Sequence, residues 1–351
     1  MSTTNEKIGS LISQIRQDKG LSQAEFARRL NTSQSAVNRM EHGRQNLSLE
    51  TLGRISDVLN KPLLSINQGA INLHIEGGHE LKGDITLKTS KNATVALLCA
   101  SLLNSGTTRL KNVARIEEVN RLIEVLQSIG VQVRWTGNND LEIKPPKKFT
   151  LDKMNKDAAR KTRSVIMFIG PLMHITKEFD IPYAGGCELG RRTVLPHLYG
   201  LEEFGVGVNT VSGHYRVMST TQVPSRAVVL YESGDTTTEN ILMAAARTDG
   251  ETVIKMASAN YMVQDLCYFL QKLGVRIDGI GTSTLRVHGV PKIHKNVIYA
   301  PAEDPVEAMT FIAAAVTTNS SITVRRVPIE FIELELLKLE KMGLKTEISH
   351  F

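Results

Sequence analysis

Cys187 stands in Tyr183-Ala-Gly-Gly-Cys-Glu-Leu-Gly-Arg-Arg, among glycines 185, 186 and 190 and just ahead of two arginines. Glycine lets the backbone turn and approach where a Cβ would not fit, so the sulfur is expected at the tip of a loop. Residues 191–204 then read as a helix with Val194, Leu198, Leu201 and Phe204 on one face. A thiol near a helix N-terminus and beside Arg191 and Arg192 is drawn toward thiolate, the setting of a reactive cysteine. A lone cysteine is more often a small buried hydrophobe. Cys99 in VALLCASLL and Cys267 in VQDLCYFL fit that description, whereas no apolar run surrounds Cys187.

The chain that must position this loop has 351 residues, room for two or three domains. Aromatics are sparse, and Gly, Ala and branched aliphatics favour packed α/β layers over a sandwich. There is no long apolar run and no leader pattern, so no membrane partner is expected. Three scattered cysteines offer neither a disulfide framework nor a metal spacing, which makes the cytoplasm the expected compartment and leaves no metal or cofactor called for. A formal charge of +6 favours anionic partners, nucleic acid or phosphorylated small molecules.

Residues 1–66 read as an all-α DNA-binding domain. An amphipathic stretch from Ile8 to Arg16 stops at Gly20, and Ser22-Gln-Ala-Glu25 is a capping box opening a short helix through Leu30, with Ala24, Ala27 and Leu30 available to pack. Ser33 opens a second short helix that Gly43 closes, and 49–59 reads as a supporting helix. Two short helices joined by a tight turn make a helix-turn-helix, here of phage-repressor type by the spacing of Gln23, Ala27, Val37 and Glu41. In that docking mode Gln34, Ser35, Asn38 and Arg39 face base edges and phosphates of duplex DNA, and Gln23 and Arg44 the backbone. One such module has few phosphate contacts, so a homodimer is implied.

Residues 61–70 have no clear period and mark the domain boundary, with linker and first strands over 67–90. Beyond them the chain repeats itself. LQSIGVQV, LEEFGVGV, LQKLGVRI and LEKMGLKT each end an apolar helix on a glycine, at 130, 205, 274 and 343, about every 70 residues. Ahead of these lie Ala-rich helices that are apolar nearly all round, which predicts helices inside and sheets outside.

Thr89-Ser-Lys-Asn92 before an Ala/Leu-rich helix, Lys161-Thr-Arg-Ser164 leading to Gly170-Pro-Leu172, and the Gly-Gly-Cys loop with Arg192 and His197 together resemble the enolpyruvyl transferases, in the branch whose acceptor is UDP-N-acetylglucosamine. A helix-turn-helix ahead of the transferase region resembles one subset of that branch. The resemblance implies an α/β (α+β) inside-out repeat domain following the all-α one, with three repeats over 91–300 and a fourth, the first of a second domain, over 301–351. It implies transfer of the enolpyruvyl group of phosphoenolpyruvate to the sugar 3′-hydroxyl, in peptidoglycan precursor synthesis. That chemistry requires an acid for the vinyl carbon, a base for the hydroxyl, and cations for carboxylate and phosphate.

On this resemblance Cys187 is the proton donor and can bond covalently to the reacting carbon. Lys91 and Asn92 hold phosphoenolpyruvate, and Arg163, Arg192 and His197 line the nucleotide-sugar site. The loop from Ser233 through Gly234 and Asp235 opens a helix whose N–H groups are placed for a diphosphate. Asp235 alone reads as an N-cap, and Asp304 first as a helix cap and only then as a site residue. Three features depart from the family pattern: Leu195 stands where an aspartate is usual, a glutamate is absent near Asn260, and the loop at 233–235 is not Ser-Val-Gly. The family fold has six repeats, of which four are counted here. The carboxylate near the sugar hydroxyl and the later arginines belong to the other two, so weak or no turnover is expected of this chain. The alternative is a DNA-binding regulator whose transferase domain senses a cell-wall precursor.

Overall fold

The computed structural model describes residues 4–45, 47, 49–59, 77–137, 139–183 and 193–349. The chain divides into two units, Met1–Gly77 and Gly78–Phe351.

Among the described residues the first unit has four helices, α1 (Thr4–Asp18), α2 (Gln23–Arg29), α3 (Gln34–Glu41) and α4 (Leu49–Leu59). The capping box is formed: Ser22 Oγ accepts from the Glu25 amide at 3.1 Å while the Ser22 amide donates to Glu25 Oε2 at 2.8 Å. Ser33 caps α3, and Asn31 takes the left-handed turn between the two helices at φ 53°. Ile12, Ile15, Phe26, Ala27, Leu30, Val37, Met40 and Ile55 make the core. Ala24, expected to pack, is exposed, and the much larger Phe26 is the α2 side chain fully buried in the core. A Cβ on Gly9 would lie 2.4 Å from the Met40 carbonyl oxygen, so only glycine lets α1 approach the end of α3 this closely.

In the second unit β1 (Lys82–Thr86) leads to α5 (Lys91–Ala100), then β2 (Thr108–Leu110), α6 (Glu117–Ser128) and the hairpin β3 (Gln132–Thr136) and β4 (Asp140–Lys144). The second repeat has α7 (Lys156–Arg160), a 3₁₀ run Arg163–Phe168 continuing into α8 (Ile169–Leu172), β5 (Glu178–Pro182), α9 (Leu195–Glu202), β6 (Val206–Val211) and β7 (His214–Ser219). The third has β8 (Val228–Val229), α10 (Asp235–Arg247), β9 (Gly250–Lys255), α11 (Tyr261–Leu273), β10 (Arg276–Asp278) and β11 (Thr284–Gly289). The fourth has β12 (Val297–Tyr299), α12 (Pro305–Thr317), β13 (Ser321–Arg325) and α13 (Glu333–Lys341). The repeat glycines 130, 205, 274 and 343 all take positive φ, 97°, 74°, 100° and 106°, which is why the same residue ends the amphipathic helix each time.

Among the described residues three sheets run in the orders β12-β2-β4-β3, β5-β7-β6 and β10-β11-β9-β8, beside a two-stranded β1-β13. Residues 93–100 of α5 and 237–246 of α10 are buried throughout, as their composition predicts. The corresponding α12 is buried only at Pro305, Ala308 and Ala315, and Val306 is 65% exposed. Its apolar pattern matches α10, but among the described residues it packs on one side only, over the small cluster of Leu87, Ala308, Ile332 and Leu336.

The register of the strands adds something the repeat pattern did not contain. β1, at the start of the unit, pairs in parallel with β13 of the fourth repeat, while β12 pairs in parallel with β2 of the first. The chain thus crosses twice between the fourth repeat and the other three. The crossings lie side by side, with the Ser90 amide on the Ala302 carbonyl at 2.7 Å and the Asp304 amide on the Lys88 carbonyl at 3.0 Å. The helix expected over 191–204 is observed as Leu195–Glu202, beginning where Pro196 fits the first turn, with the Leu195 amide on Thr193 Oγ1 at 3.1 Å.

Candidate functional site

The helix starts of the second unit converge. Lys91 is the first residue of α5, behind the N-cap Ser90, and its Nζ lies 2.7 Å from Glu118 Oε2 in the first turn of α6. Glu118 Oε1 accepts from Ser164 Oγ at 2.7 Å and from Thr162 Oγ1 at 3.2 Å, so the same carboxylate fixes the start of the 3₁₀ run that carries Arg163. Burial works to raise the Glu118 pKa, but Lys91, Ser164 and Thr162 outweigh it and hold the carboxyl below its ordinary value. Arg163 donates to the Thr193 carbonyl at 2.9 Å, just before α9.

From α9, His197 is 2% exposed, with Nδ1 3.2 Å from Asn240 Nδ2 and Nε2 3.4 Å from Thr236 Oγ1. Burial, reinforced by the charge of Arg163, lowers its pKa to about 4, so the ring is neutral. The Asn240 amide then donates to Nδ1, which leaves the proton on Nε2. Asn240 Oδ1 also receives the Gly170 amide at 2.9 Å, and a Cβ on Gly170 would fall 2.4 Å from the Asn240 carbonyl oxygen. Glycine at 170 is therefore what lets α8 lie against α10.

At the start of α10 the cap is Gly234, not Asp235. Asp235 is the first helical residue, and its carboxylate receives Ser258 Oγ at 2.6 Å and Asn260 Nδ2 at 3.2 Å, which joins α10 to the cap of α11. The N-cap expectation for Asp235 is corrected: its side chain bridges two helices because the facing hydroxyl and amide lie within reach. A Cβ on Gly234 would fall 2.8 Å from Glu232 Oε1, so a second carboxylate stands at this end, and Ser233 is exposed. Tyr261, first in α11, reaches back to Ser90 with 2.7 Å between the hydroxyls. Asp304 caps α12, its Oδ1 accepting the Val306 and Glu307 amides at 2.8 and 3.3 Å. Asn92 is exposed beside Lys91. Cys187, Arg191 and Arg192 lie outside the described residues. The two other cysteines are buried, and burial pushes the Cys267 thiol up to about 12.

Sequence reasoning missed Glu118, Ser164, Asn240 and Tyr261. A glutamate in a first turn reads only as a complement to the helix dipole, and no spacing couples it to a lysine 27 residues away. Taken together, the starts of α5, α6, the 3₁₀ run, α9, α10 and α11 are tied to one another by side chains, and their unpaired N–H groups and partial positive charge form one end of the unit. Lys91, paired with Glu118, and Arg163 add positive charge there, beside the carboxylates of Glu232 and Asp235. Among the described residues no cluster of His, Cys, Asp and Glu could hold a metal, and no helix is long and apolar enough to cross a membrane.

In the first unit Gln34, Ser35, Asn38 and Arg39 are exposed while Ala36, Val37, Met40 and Glu41 are buried, so these four polar residues share the outer face of α3, and Arg44, beyond its end, is exposed as well. Arg39 donates to Ser35 Oγ at 3.0 Å. Glu41 is paired with Arg16 at 2.5 Å inside the unit. Gln23 is turned inward as well, donating to Glu41 Oε2 at 2.8 Å.

Residues 75–350 match the family described as EPSP synthase (3-phosphoshikimate 1-carboxyvinyltransferase), and residues 12–66 match the helix-turn-helix family. The chain belongs to the EPSP synthase family. Within the enolpyruvyl transferases it is 34% identical to UDP-N-acetylglucosamine 1-carboxyvinyltransferase of Dichelobacter nodosus, over 77% of this chain and 64% of that protein. It is also 34% identical to the enzyme of the same description from Gloeobacter violaceus, over 77% and 58%. The chain thus spans about three fifths of the length of these relatives. Among solved structures, the enolpyruvyl transferase NikO from Streptomyces tendae superposes with a TM-score of 0.68 at 19% identity, covering 78% of this chain and 65% of that one. EPSP synthase from Acinetobacter baumannii follows at 0.58 and 18%, covering 78% and 63%. These two likenesses concern the fold. The second unit is an enolpyruvyl transferase domain, and it follows a helix-turn-helix domain in the same chain.

Proposed function

We propose that the second unit handles phosphoenolpyruvate and UDP-N-acetylglucosamine, transferring the enolpyruvyl group to the sugar 3′-hydroxyl, and that the first unit carries it to duplex DNA as a dimer. The observation that carries the reading is the convergence of helix starts around Lys91 and Arg163, an end suited to anions with carboxylate, phosphate and diphosphate groups. Lys91 and Asn92 take phosphoenolpyruvate. Arg163, Arg192 and His197 border the nucleotide sugar, the buried His197 from behind Thr236, whose Oγ1 is 3.4 Å from Nε2. Ser233 and Gly234 offer the diphosphate backbone N–H groups, and Asp235, engaged with Ser258 and Asn260, sets the angle between α10 and α11. Asp304 fixes the start of α12 beside them. Cys187 delivers the proton to the vinyl carbon as the sugar oxygen bonds to the adjacent carbon; phosphate then leaves and a proton is lost to restore the double bond.

Phosphate release with both substrates, with Cys187→Ser as control, tests this. Release that depends on Cys187 supports transfer. Binding of the nucleotide sugar without any release supports the second reading, a DNA-binding regulator that senses a cell-wall precursor. The outward polar face of α3 favours that reading as much as the first. Both require DNA binding through Gln34, Ser35, Asn38, Arg39 and Arg44, and duplex affinity that falls steeply with salt. A flat salt response would assign the first unit to protein contacts instead.

A further inference from the structure

The opposite end of the same helices carries a second feature. Beyond the last turns of α5, α8 and α10 lies a cavity of about 760 Å³ that opens to solvent. Lys147 and Lys148 border it from the segment after β4, Arg247 from the last turn of α10, and Lys292 from the segment after β11. Two carboxylates also line it, Asp152 and Glu178, and Glu178 is 3.8 Å from Arg216. Among the described residues none of the four cations is in an ion pair; Arg247 makes one hydrogen bond, Nε to the Pro291 carbonyl at 3.1 Å.

The ordinary reason for cations at helix ends is to compensate carbonyl groups left open there. Here that reason is weak, because other groups already take those carbonyls. The Ala244 carbonyl accepts from His174 Nε2 at 2.8 Å and Thr248 Oγ1 at 2.9 Å, and the Ala245 and Ala246 carbonyls accept the Thr248 and Val290 amides. Arg247 is half-buried, and burial draws its pKa below the usual value with no carboxylate to offset it. Four cations against the two carboxylates leave the lining net positive, which favours an anionic occupant.

We propose that this cavity binds a phosphorylated small molecule with at least two negative charges, at a site separate from the one around Lys91. The occupant is a small molecule because the cations surround a concavity of metabolite size, with Arg247 half-buried in its wall, whereas a duplex backbone meets exposed strips of charge. The ligand is held by Lys147, Lys148 and Lys292 at the rim and by Arg247 at the wall.

The test is calorimetric titration of the full chain with inorganic pyrophosphate at fixed ionic strength. Wild type is expected to show a saturable site. The double variant Lys148→Gln/Lys292→Gln, altered at two exposed side chains, is expected to keep the thermal midpoint and lose about tenfold or more in affinity. Lys91→Gln/Arg163→Gln, altered at the other end, is expected to keep this site; loss there alone places pyrophosphate in the candidate substrate site and overturns the proposal. It is also overturned by an unsaturable, salt-like response in wild type. Unchanged pyrophosphate binding in the Lys148/Lys292 variant overturns it too, and if that variant loses affinity for a short duplex, the cavity belongs to DNA.

Discussion

The two units solve the placing of a functional surface in opposite ways. In the helix-turn-helix unit the candidate DNA-reading residues sit on one eight-residue helix, α3, whose inner side is fixed by the core and whose outer side is left polar. In the transferase unit Lys91, Glu118, Arg163, His197 and Asp235 come from five separate helical segments that are tied together by contacts between their starts. A face on one helix can change without disturbing the fold. A site made of junctions cannot, since its polar contacts also hold the helices together.

The largest effect that separates the units is expected from Glu41→Gln. It leaves Arg16 buried without its counter-charge, which costs on the order of 3–5 kcal/mol. By calorimetry the helix-turn-helix transition should fall steeply, and by more than that of the transferase unit; an equal fall in both would contradict this.

Leu242→Ala, in the buried α10, is expected to destabilise the transferase unit by about 2–5 kcal/mol, and Val316→Ala, in the half-exposed α12, by less than about 1 kcal/mol. Equal shifts in urea midpoint would mean that α12 is covered in solution.

Glu118→Gln is expected to cost about 1–3 kcal/mol and to weaken phosphoenolpyruvate binding together. Arg39→Ala should lower duplex affinity by about 1–3 kcal/mol with no change in melting temperature. A stable Glu118 variant with intact binding would dissolve the contrast between the two sites.

His197 gives a prediction in pH. Its pKa is about 4 in the folded chain against 6.5 when free, so between these values the unfolded chain binds the extra proton. Its contribution is therefore complete above pH 6.5 and is lost as pH falls toward 4. The urea midpoint of the transferase unit should decline across that window, less so in His197→Gln. An unchanged slope in the variant would exclude a neutral buried imidazole.

The smallest effect is expected at Glu239, which is 1% exposed with no partner for Oε1, and whose carboxyl burial holds well above its ordinary pKa. Burial disfavours its charged form, so the neutral isostere in Glu239→Gln should change stability less than any substitution above. A larger loss would mean a charged Glu239.

Several features were legible in the chain because their causes are local. The capping box at Ser22 and Glu25, the repeat glycines with their positive φ, the buried Ala-rich α5 and α10, and the polar outer face of α3 all follow from periodicity, backbone freedom or a hydroxyl three residues from an amide. The motif pieces around Lys91 and Arg163 were legible as well, but not what holds them. Glu118 lies 27 residues from Lys91 and 46 from Ser164, and such contacts have no sequence signature. Even Asp235, read as a cap, turned out to bridge to Ser258 and Asn260, because a carboxylate takes whichever donors the fold brings closest.

The amino-acid order by itself therefore determined the two fold types, the repeated helix–strand pattern and the residue types available for chemistry, since each depends on neighbours within a turn or two. Only the tertiary structure decided that β1 joins the fourth repeat and β12 the first, that the helix starts gather at one end and unpaired cations at the other, and that α12 stays half-covered. Those outcomes depend on contacts between residues far apart in the chain, and such contacts exist only once the layers have packed.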